Sequence, residues 1–444
     1  MPAVKAKPME KSGPRPAVFQ ASGPLRGTIR VPGDKSISHR ALICAAMALG
    51  RSRIEGLSEG TDVRSTAAAL EAMGVRIARD GAAWTVDGVG AGGLLQPERA
   101  LDMGNSGTSA RLLMGLAASH PIAAVFTGDS SLSGRPMERL AGPLRRIGAE
   151  VIAAPGGRLP LTVRGLSPAV AHTHLMDVPS AQVKSALLLA ALNIPGLTRI
   201  VEPVPTRDHG ETMLKLFGAD IAVDGGEIVL RGEAGLKPQN LAIPGDFSAA
   251  AFLAVAALIV PGSELRIEGV GINPSRTGLY DVLLEMGADL AFENRREPGG
   301  EPVADLVVRH SRLKGIDVPP ELAPRMIDEY PIFFVAAAVA DGISSASGLG
   351  ELRLKESDRI AAMVPGIDWI APNAQDRGDT VFVRGFPGGP LAGGLTIDPR
   401  RDHRVAMSFA VAGLHCRQPV TVSDMSAADT SFPGFAALLQ ELAR

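Results

Sequence analysis

The sequence predicts an α/β protein made of about six related units, each arranged around a buried helix. Three observations support this prediction. A helix–glycine–strand junction recurs at nearly fixed spacing, and alanine-rich segments that are apolar on all sides recur with it. The chain of 444 residues is also too long for one hydrophobic core, so we expect two or more domains.

The junctions are four short segments in which an apolar helix end meets a glycine and then a strand. Glycine takes the left-handed conformation that ends a helix, and the next apolar residues begin the strand. The glycines fall 74, 70 and 69 residues apart. Any α/β protein contains some such junctions, but this spacing favours a true repeat. The segments are Leu70–Ile77, Leu144–Val151, Leu214–Ile221 and Leu284–Leu290.

The chain after the fourth junction is long enough for two more units. One unit would run through Lys355–Met363, and the last would end in a helix at Phe435–Leu442. Six helices, one per unit, are predicted to be buried because both of their faces are apolar. They are Ala41–Leu49, Ala110–Ala118, Val183–Leu192, Ser248–Ile259, Tyr330–Ala340 and Ala406–Leu414.

Each predicted buried helix is preceded by polar or small residues. If the six helices are parallel, their N-termini converge, and their dipoles and free backbone N–H groups would create one site that attracts anions. The stretch Gly33–Arg40 is the clearest case, because a lysine, two hydroxyls and an arginine follow the short strand Thr28–Val31. The alternative is that Asp34 or Ser36 caps the helix and the basic residues are solvated. The glycine spacing of a Walker loop is missing.

Composition excludes several classes of protein. A net charge of −2 and 4% aromatic residues argue against a nucleic-acid-binding surface. Two cysteines, Cys44 and Cys416, rule out a disulfide framework and predict a cytoplasmic protein. The longest apolar run, Ala249–Val260, is too short to span a bilayer. Residues 1–16 are predicted to be a disordered leader, and no metal-ligand spacing is present.

Eight segments, in order along the chain, resemble the motifs of the 5-enolpyruvylshikimate-3-phosphate synthase family. Each is weak alone, but eight in order is a specific signal. Ser180–Lys184 and Arg207–Glu211 resemble a bacterial class II subgroup known for poor glyphosate sensitivity, although Asn273–Arg276 departs slightly from its pattern. The eight segments are Gly33–Arg40, Gly104–Thr108, Arg135–Met137, Ser180–Lys184, Asp328–Pro331, Leu354–Arg359, Asp402–Met407 and Ser431–Pro433.

The resemblance implies a two-domain, inside-out α/β barrel with six βαβαββ repeats, three per domain. One domain would comprise residues 34–243. The other would combine residues 17–33 with 244–444, and the active site would lie in the cleft between them. Closure of such a cleft would exclude water from the site, which prevents the hydrolysis of phosphoenolpyruvate.

The implied reaction transfers the enolpyruvyl group of phosphoenolpyruvate to the 5-hydroxyl of shikimate 3-phosphate, within aromatic amino acid biosynthesis. The resemblance further implies no cofactor and no metal, a monomeric enzyme, and glyphosate as a candidate inhibitor. The residues matching shikimate 3-phosphate contacts are Lys35, Ser36, Arg40, Ser180, Ala181, Gln182, Arg207, Asp328 and Lys355. Those matching phosphoenolpyruvate contacts are Lys35, Gly107, Arg135, Gln182, Arg359 and Arg404.

Three residues are implied to take part in proton transfer: Lys35, Asp328 and Glu356. Asp328 matches the aspartate that accepts the 5-hydroxyl proton, and Glu356 matches the carboxylate near C3 of phosphoenolpyruvate. Bidentate guanidinium groups suit carboxylate and phosphate. Without the resemblance, Arg135, Arg359 and Arg404 would be interpreted as members of surface ion pairs. The two carboxylates would be interpreted as helix caps. Which group protonates C3 stays open at this point.

Two further positions depart from the family pattern. Many relatives carry Asn where Glu351 falls and Lys where Thr430 falls.

Two alternative functions are open at this point. The sister enzyme UDP-N-acetylglucosamine enolpyruvyl transferase uses a loop cysteine, and Asp129–Arg135 contains none. The other alternative is a non-catalytic phosphate- or RNA-binding protein, because the RNA 3′-phosphate cyclase shares the repeat unit. A relative of that cyclase should carry a catalytic histidine near the C-terminus and bind nucleotide. His403 and His415 are available, but no basic or aromatic stripe accompanies them.

Overall fold

The structure is a computed structural model that describes residues 13–443. Most of the predicted leader, residues 1–12, lies outside the described residues. The end of that leader is attached to the fold. The backbone N–H of Arg15 donates to Asp424 Oδ1 at 3.1 Å, and the Arg15 carbonyl accepts from the Met425 N–H at 2.8 Å. The folded part therefore begins before residue 16.

The helices form two groups, one buried over nearly its whole length and one partly exposed. The α-helices are α1 Lys35–Met47, α2 Thr61–Ala72, α3 Gly107–Ala118, α4 Ser130–Ser133, α5 Glu138–Arg146, α6 Ala181–Ala191, α7 His209–Leu216, α8 Phe247–Ile259, α9 Gly278–Glu285, α10 Ala323–Met326, α11 Tyr330–Val339, α12 Arg359–Ile370, α13 His403–Gly413 and α14 Phe435–Leu442. Short 3₁₀ turns lie at Pro298–Gly300, Pro320–Leu322, Gly350–Leu354 and Met425–Thr430.

The strands of residues 13–443 form six separate sheets. They are β1 Ala17–Phe19, β2 Arg26–Arg30, β3 Leu49–Glu55, β4 Arg76–Asp80, β5 Ala83–Val89, β6 Leu101–Asp102, β7 Ala123–Thr127, β8 Glu150–Ala154, β9 Arg158–Arg164, β10 Thr173–Leu175, β11 Leu197–Val201, β12 Asp220–Asp224, β13 Glu227–Arg231, β14 Asn240–Ala242, β15 Glu264–Gly271, β16 Asp289–Arg296, β17 Val303–Arg309, β18 Asp317–Val318, β19 Ile343–Ala346, β20 Ala374–Asp376, β21 Val381–Arg384, β22 Thr396–Ile397 and β23 Val420–Val422.

The sheets repeat one topology. In β6-β7-β9-β8, for example, β6 and β7 are parallel and the remaining pairs are antiparallel, which gives one βαβαββ unit with α3 and α5. The same order holds for β10-β11-β13-β12 and β18-β19-β21-β20. The last unit has only the parallel pair β22 and β23, and β1 from the N-terminal segment completes its sheet. The predicted six-unit fold is confirmed.

The glycines that revealed the repeat end their helices as predicted. Gly74, Gly148, Gly218 and Gly287 have φ values of 92°, 101°, 85° and 87°, a region in which a side chain would be strained. Each follows the C-cap residue of its helix and precedes a strand. In the fifth unit Asn373, with φ of 91°, takes this place between α12 and β20. Asparagine tolerates this conformation better than most residues, so the glycine spacing is lost there.

Two hydrophobic cores divide the chain. One contains buried residues from Ile37 to Ile243, and the other combines Phe19–Val31 with Phe247–Leu439. Two strands cross between them. β2 precedes α1 in the chain but pairs in parallel with β15 of the second core, and β14 precedes α8 but pairs in parallel with β3 of the first. The polypeptide therefore passes between the cores twice, near residues 33 and 244.

The six predicted buried helices correspond to α1, α3, α6, α8, α11 and α13, and their bounds shift slightly. α1 is a full turn longer at its start than predicted and ends at Met47. The expectation that Leu49 belongs to this helix is wrong, because Leu49 begins β3 and is exposed. No helix within residues 13–443 is long and apolar enough to cross a membrane.

Candidate active site

The N-termini of the buried helices converge on one cavity of about 560 Å³ between the two cores. α1 and α13 contribute their first residues, α6 contributes Ala181 and Gln182, and Asp246 lies at the N-cap of α8. This arrangement confirms the predicted convergence. Backbone N–H groups and helix dipoles point toward such a cavity, so it favours negatively charged ligands.

The two sides of the cavity carry different charges. Within the described chain, the charged side chains that line it from residues 34–243 are all basic, and we call this side the basic wall: Lys35, Arg111, Arg135, Arg139 and Arg207. The side formed by residues 244–443 carries both signs, and we call it the mixed wall: Asp246, Arg276, Asp328, Glu351, Lys355, Glu356 and Arg404.

Lys35 lies in the first turn of α1, where Asp34 is the N-cap and accepts from the Ile37 N–H at 2.8 Å. The capping role that we considered for Asp34 is therefore real, but Lys35 is not a solvated charge. Its Nζ lies 3.0 Å from Asp62 Oδ2, and its side chain is 13% exposed. Asp62 was not predicted from the sequence. Lys35 and Ser36 both line the cavity.

Three predicted contact residues lie behind the cavity surface. Arg40 is buried, where its guanidinium donates to the Ser36 carbonyl at 2.9 Å and to Ser185 Oγ at 2.7 Å. Gly107 lies beside the cavity-lining Arg111 and Arg135. Arg359 is 1% exposed because three carboxylates surround it. For these three residues, direct contact with a substrate stays a prediction.

Asp328 is the most strongly paired carboxylate of the cavity. Its Oδ2 lies 2.7 Å from Arg207 Nη1 and its Oδ1 lies 3.2 Å from Arg359 Nη1. The Asp328 carbonyl also accepts from Arg404 Nη1 at 2.9 Å. Burial alone would raise the pKa of Asp328, but nearby cations, Arg404 and Arg207 first among them, hold it well below its usual range. Asp328 is therefore ionised at neutral pH and can accept a proton.

Glu356 occupies the opposite end of the same ion network. Its Oε2 accepts from Arg359 Nη2 at 2.5 Å, and its Oε1 lies 3.6 Å from Arg135 Nη1. Burial would raise the pKa of Glu356, but Arg359 and Arg135 hold it well below its usual range. Burial lowers the pKa of the neighbouring Lys355 ammonium, although Asp328 opposes that shift. Of these two cavity residues, Lys355 is therefore the better proton donor.

The predicted residues of α6 are arranged around its N-terminus. Ser180 is the N-cap and accepts from the Val183 N–H at 3.4 Å, and Ala181 lines the cavity beside it. Gln182 bridges to α3, since its Nε2 donates to Thr108 Oγ1 at 2.9 Å and its Oε1 accepts from Arg111 Nη1 at 2.8 Å. The amide of Gln182 is thereby fixed against the basic wall.

Sequence reasoning missed several lining residues. Burial lowers the pKa of Arg111 to about 10, with Arg135 adding to the effect. Arg276 is 3% exposed and lies 3.5 Å from Asp328 Oδ2, and its pKa is raised because surrounding carboxylates outweigh burial. Arg111 is the second residue of the predicted buried helix Ala110–Ala118, and a charge at the start of an apolar helix is a signal that could have identified it. Arg276 is the last residue of the segment Asn273–Arg276, and no role in the site was predicted for it.

His403 also lines the cavity, although the sequence suggested a role for it only in the alternative of an RNA 3′-phosphate cyclase. Burial lowers its pKa well below the usual value, and Lys35 and Arg404 lower it further. Neither ring nitrogen has a hydrogen-bond partner among residues 13–443. His403 is therefore a neutral polar group at the N-terminus of α13. No cluster of metal-ligating side chains occurs in the part of the chain that the structure describes.

The two positions that depart from the family pattern differ in location. Glu351 lies at the rim of the mixed wall, where its Oε1 pairs with Arg139 Nη1 of the basic wall at 2.9 Å. Thr430 does not line the cavity. Its hydroxyl donates to the Ala427 carbonyl, and its own carbonyl packs against Gly60. Glu351 thus supplies a contact across the cavity, whereas Thr430 has a local role.

Comparisons with known proteins agree on one family. The sequence model of EPSP synthase (3-phosphoshikimate 1-carboxyvinyltransferase) matches residues 19–439. A 3-phosphoshikimate 1-carboxyvinyltransferase of Sphingopyxis alaskensis is 58% identical, covering 96% of this chain and 98% of the relative. One from Novosphingobium aromaticivorans is 56% identical, covering 97% and 100%. The crystal structure of EPSP synthase from Acinetobacter baumannii is 42% identical with a TM-score of 0.86, covering 96% and 98%.

Proposed function

The chain belongs to the EPSP synthase family, and we infer that it transfers the enolpyruvyl group of phosphoenolpyruvate to the 5-hydroxyl of shikimate 3-phosphate. The products are 5-enolpyruvylshikimate 3-phosphate and phosphate, so the enzyme is a transferase of the shikimate pathway. The observation that carries this assignment is a cavity with an exclusively basic wall facing two ionised carboxylates. Such a cavity suits two substrates that each bear a phosphate and a carboxylate.

We assign shikimate 3-phosphate to the part of the cavity between α1 and α6. Ser180 and Gln182 lie at the start of α6, Arg207 faces them, and Lys35 and Ser36 begin α1. Helix N-termini and Arg207 would bind the 3-phosphate, while Lys355 would bind a ring oxygen. The buried Arg40 supports this region through the Ser36 carbonyl and Ser185. Ala181 contributes backbone only.

We assign phosphoenolpyruvate to the region between α3 and α13. Arg135 of the basic wall and Arg404 of the mixed wall both line the cavity, Glu356 lies 3.6 Å from Arg135, and the buried Arg359 pairs with Glu356. Arginine forks bind carboxylate and phosphate in a bidentate manner, which fixes the orientation of the reacting carbons. Gly107 keeps this region free of a side chain beside Arg135.

The protonation states suggest how the reaction proceeds. Ionised Asp328 would accept the proton of the 5-hydroxyl as that oxygen attacks C2 of phosphoenolpyruvate. A proton reaches C3 in the same step, and a tetrahedral intermediate forms. Lys35 or Lys355 would supply that proton, while ionised Glu356 stabilises the positive charge that develops next to C3. The lysine that donated this proton then removes a proton from the C3 methyl group as phosphate, bound by the basic wall, leaves C2, and the restored C2–C3 double bond completes the transfer.

We further propose that residues 34–243 and residues 17–33 with 244–444 are two domains that close over the substrates. Each contains its own core, and ion pairs such as Arg207–Asp328 join them across the cavity. A monomer would suffice, because one chain supplies both walls. A reducing cytoplasm would suit the two buried, unpaired cysteines Cys44 and Cys416. Glyphosate, a phosphonate carboxylate, would compete for the phosphoenolpyruvate region.

The direct test is release of phosphate from phosphoenolpyruvate in the presence of shikimate 3-phosphate. We expect release that depends on both substrates and is not affected by a metal chelator. Asp220→Asn, which changes an exposed carboxylate outside the cavity, should release phosphate at the wild-type rate. Failure of the wild-type chain to release phosphate under any condition of pH and salt would overturn the assignment.

A further inference from the structure

The loop between β11 and α7 carries Arg207 into the cavity but is anchored outside it. The loop contains Pro203 and Pro205, and Thr206 and Arg207 line the cavity. Glu202 lies at its start. Thr206 Oγ1 donates to Glu202 Oε1 at 2.5 Å. This hydrogen bond links the start of the loop to the residue before Arg207.

A buried lysine joins the two ends of this loop. Lys184 Nζ lies 2.7 Å from Glu202 Oε2 and 2.7 Å from Glu211 Oε1, and it donates to the Thr206 carbonyl at 3.4 Å. The Lys184 side chain is 1% exposed, and those of Glu202 and Glu211 are 5% and 8% exposed. These three residues do not belong to the cavity lining. We call Lys184, Glu202 and Glu211 the loop anchor.

The loop anchor is costly to form, which argues for a role beyond filling space. Two glutamates and one lysine leave a negative charge, which the buried Arg40 nearby compensates in part. Burial raises the pKa of Glu211, although Lys184 opposes the shift. Replacing buried ion pairs by apolar residues often does not reduce stability, so buried charges are weak evidence of a purely stabilising role.

The residue after Arg207 is fixed from the other core. Asp208 Oδ1 accepts from Asn273 Nδ2 at 2.8 Å and from Ser275 Oγ at 3.0 Å. Arg207 is therefore held between Thr206, which Lys184 contacts, and Asp208, which the mixed-wall side contacts. Its Nη1 then reaches Asp328 Oδ2 at 2.7 Å.

We propose that Lys184 is a positioning residue for Arg207: it sets the place of that guanidinium through the Thr206 carbonyl and the loop anchor, without contacting substrate. The proposal rests on the assignment of Arg207 to shikimate 3-phosphate. It gives a physical reason for two sequence motifs to occur together. Ser180–Lys184 presents polar groups to the cavity at one end and Lys184 to the loop at the other, and Arg207–Glu211 supplies both the guanidinium and the carboxylate that Lys184 binds.

A double-mutant cycle on shikimate 3-phosphate binding tests the proposal. Calorimetry would give Kd for the wild type, Lys184→Met, Arg207→Gln and the double variant. Methionine keeps an unbranched side chain and removes the charge. We expect Lys184→Met to weaken binding roughly tenfold to a hundredfold, the loss typical of a misplaced binding group. In the Arg207→Gln background the same change should have almost no further effect, because the residue that Lys184 positions is gone.

Two variants separate positioning from general destabilisation. Asp305→Asn removes a buried carboxylate that pairs with the partly exposed Arg266 and Arg296 in the other core, and it should leave Kd unchanged. Lys184→Arg keeps the charge and should restore part of the affinity. If Lys184→Met does not fold, Glu202→Gln replaces it, because this change leaves Lys184 paired with Glu211. A smaller loss of affinity, again absent beside Arg207→Gln, is then expected.

The outcomes distinguish this proposal from the assignment beneath it. If the wild type does not bind shikimate 3-phosphate, the proposed function fails. If Arg207→Gln binds like the wild type, the placement of Arg207 is wrong and the positioning role is overturned with it. If Arg207→Gln weakens binding but Lys184→Met has no effect, or its effect adds fully to that of Arg207→Gln, only the positioning role is overturned.

Discussion

The basic wall and the mixed wall of the cavity come from different cores and do different work. Among the described residues, the charged side chains of the basic wall are all cations, whereas the mixed wall carries Asp328, which we assign to proton transfer, and Glu356, which we assign to charge stabilisation. Each wall pairs with the other across the cavity, as Arg207 does with Asp328 and Arg135 with Glu356. In the proposed assignment, Arg207 of the basic wall binds substrate and Asp328 of the mixed wall accepts a proton, so the reaction requires both walls to be in place.

The cross-cavity pairs also explain why the carboxylates are ionised. In a cavity this buried, an isolated carboxyl group would favour its neutral form. The arginines of both walls reverse that preference for Asp328 and Glu356. In the proposed assignment, the same arginines bind the phosphates and carboxylates of the substrates. Substrate groups would then compete with Asp328 and Glu356 for the basic wall, and this competition would free Asp328 to accept a proton.

The largest expected effect is on turnover when a mixed-wall carboxylate is neutralised. Asp328→Asn and Glu356→Gln should each lower kcat by about 100-fold or more, the contribution of a positioned base for Asp328 and of a positioned charge that stabilises the transition state for Glu356. KM for either substrate should change far less, because the basic wall is intact. Steady-state phosphate release measures both constants. Equal losses in kcat and in substrate affinity would show that the walls do not divide these tasks.

The next effect concerns stability, and its pH dependence follows from the direction of the pKa shift. Asp328 has a folded-state pKa held well below its unfolded value of about 3.9. Its stabilising contribution is therefore fully present above about pH 4 and lost only as pH falls through the folded-state pKa. Asp328→Asn should lower the free energy of unfolding by about 3 kcal/mol at pH 7, because it leaves buried cations unpaired.

Urea unfolding at pH 7, 5 and 3 checks this prediction. The difference in the free energy of unfolding between Asp328→Asn and the wild type should be the same at pH 7 and pH 5 and smaller at pH 3. Asp220→Asn is the matched control, since its partner Arg231 and Asp220 itself are more than half exposed. A difference that already shrinks between pH 7 and 5 would contradict the depressed pKa.

A smaller effect, on KM and on the inhibition constant of glyphosate, is expected when an added side chain narrows the cavity beside the basic wall. A Cβ at Gly107 would lie 2.8 Å from Arg111 Nη1 and 3.0 Å from Arg135 Nη1, so one guanidinium must move. Gly107→Ala should raise KM for phosphoenolpyruvate. It should raise the inhibition constant of the longer glyphosate by more, and the additional loss of binding free energy should be about 1–3 kcal/mol. Gly142→Ala is the control, because its nearest contact would be 3.9 Å away. Equal changes in both constants would place Gly107 away from the inhibitor's end of the cavity.

The smallest effect is expected at the rim. Arg139 and Glu351 join the walls at 2.9 Å, but their side chains are 40% and 39% exposed. Glu351→Gln should therefore cost only about 0.2–1 kcal/mol, seen as a change of less than about fivefold in KM that disappears in 1 M salt. Glu138→Gln breaks an exposed pair with Arg145 within the same core and should leave KM unchanged. A tenfold or larger effect of Glu351→Gln would make the rim part of the binding site.

Much of the fold could be predicted because its signals are local. Gly74 and its equivalents report backbone conformation directly, and the alanine-rich helices report burial on all sides. Convergence of the helix N-termini also followed from one assumption, that the helices are parallel. The strand exchange was predicted only from the family resemblance, which placed residues 17–33 with 244–444, because nothing in the sequence of β2 or β14 itself shows which core its hydrogen bonds will serve.

The site was predicted less completely, for a physical reason. Sequence motifs identify which residues are present but not which of them face the cavity. Arg359 matched a substrate-binding arginine, yet three carboxylates surround it and leave it 1% exposed. Arg111 and Arg276 matched no assigned role, yet they line the cavity. The loop anchor around Lys184 depends on contacts between residues up to 27 positions apart, which no local pattern encodes.

The division between the two walls is tested most directly by calorimetric binding of shikimate 3-phosphate to Arg207→Gln and Asp328→Asn. These two changes remove opposite ends of one 2.7 Å ion pair, so any loss of the pair itself is common to both. We predict that Arg207→Gln raises Kd at least tenfold, whereas Asp328→Asn binds as tightly as the wild type or more tightly. Weaker binding by Asp328→Asn than by Arg207→Gln would contradict the account.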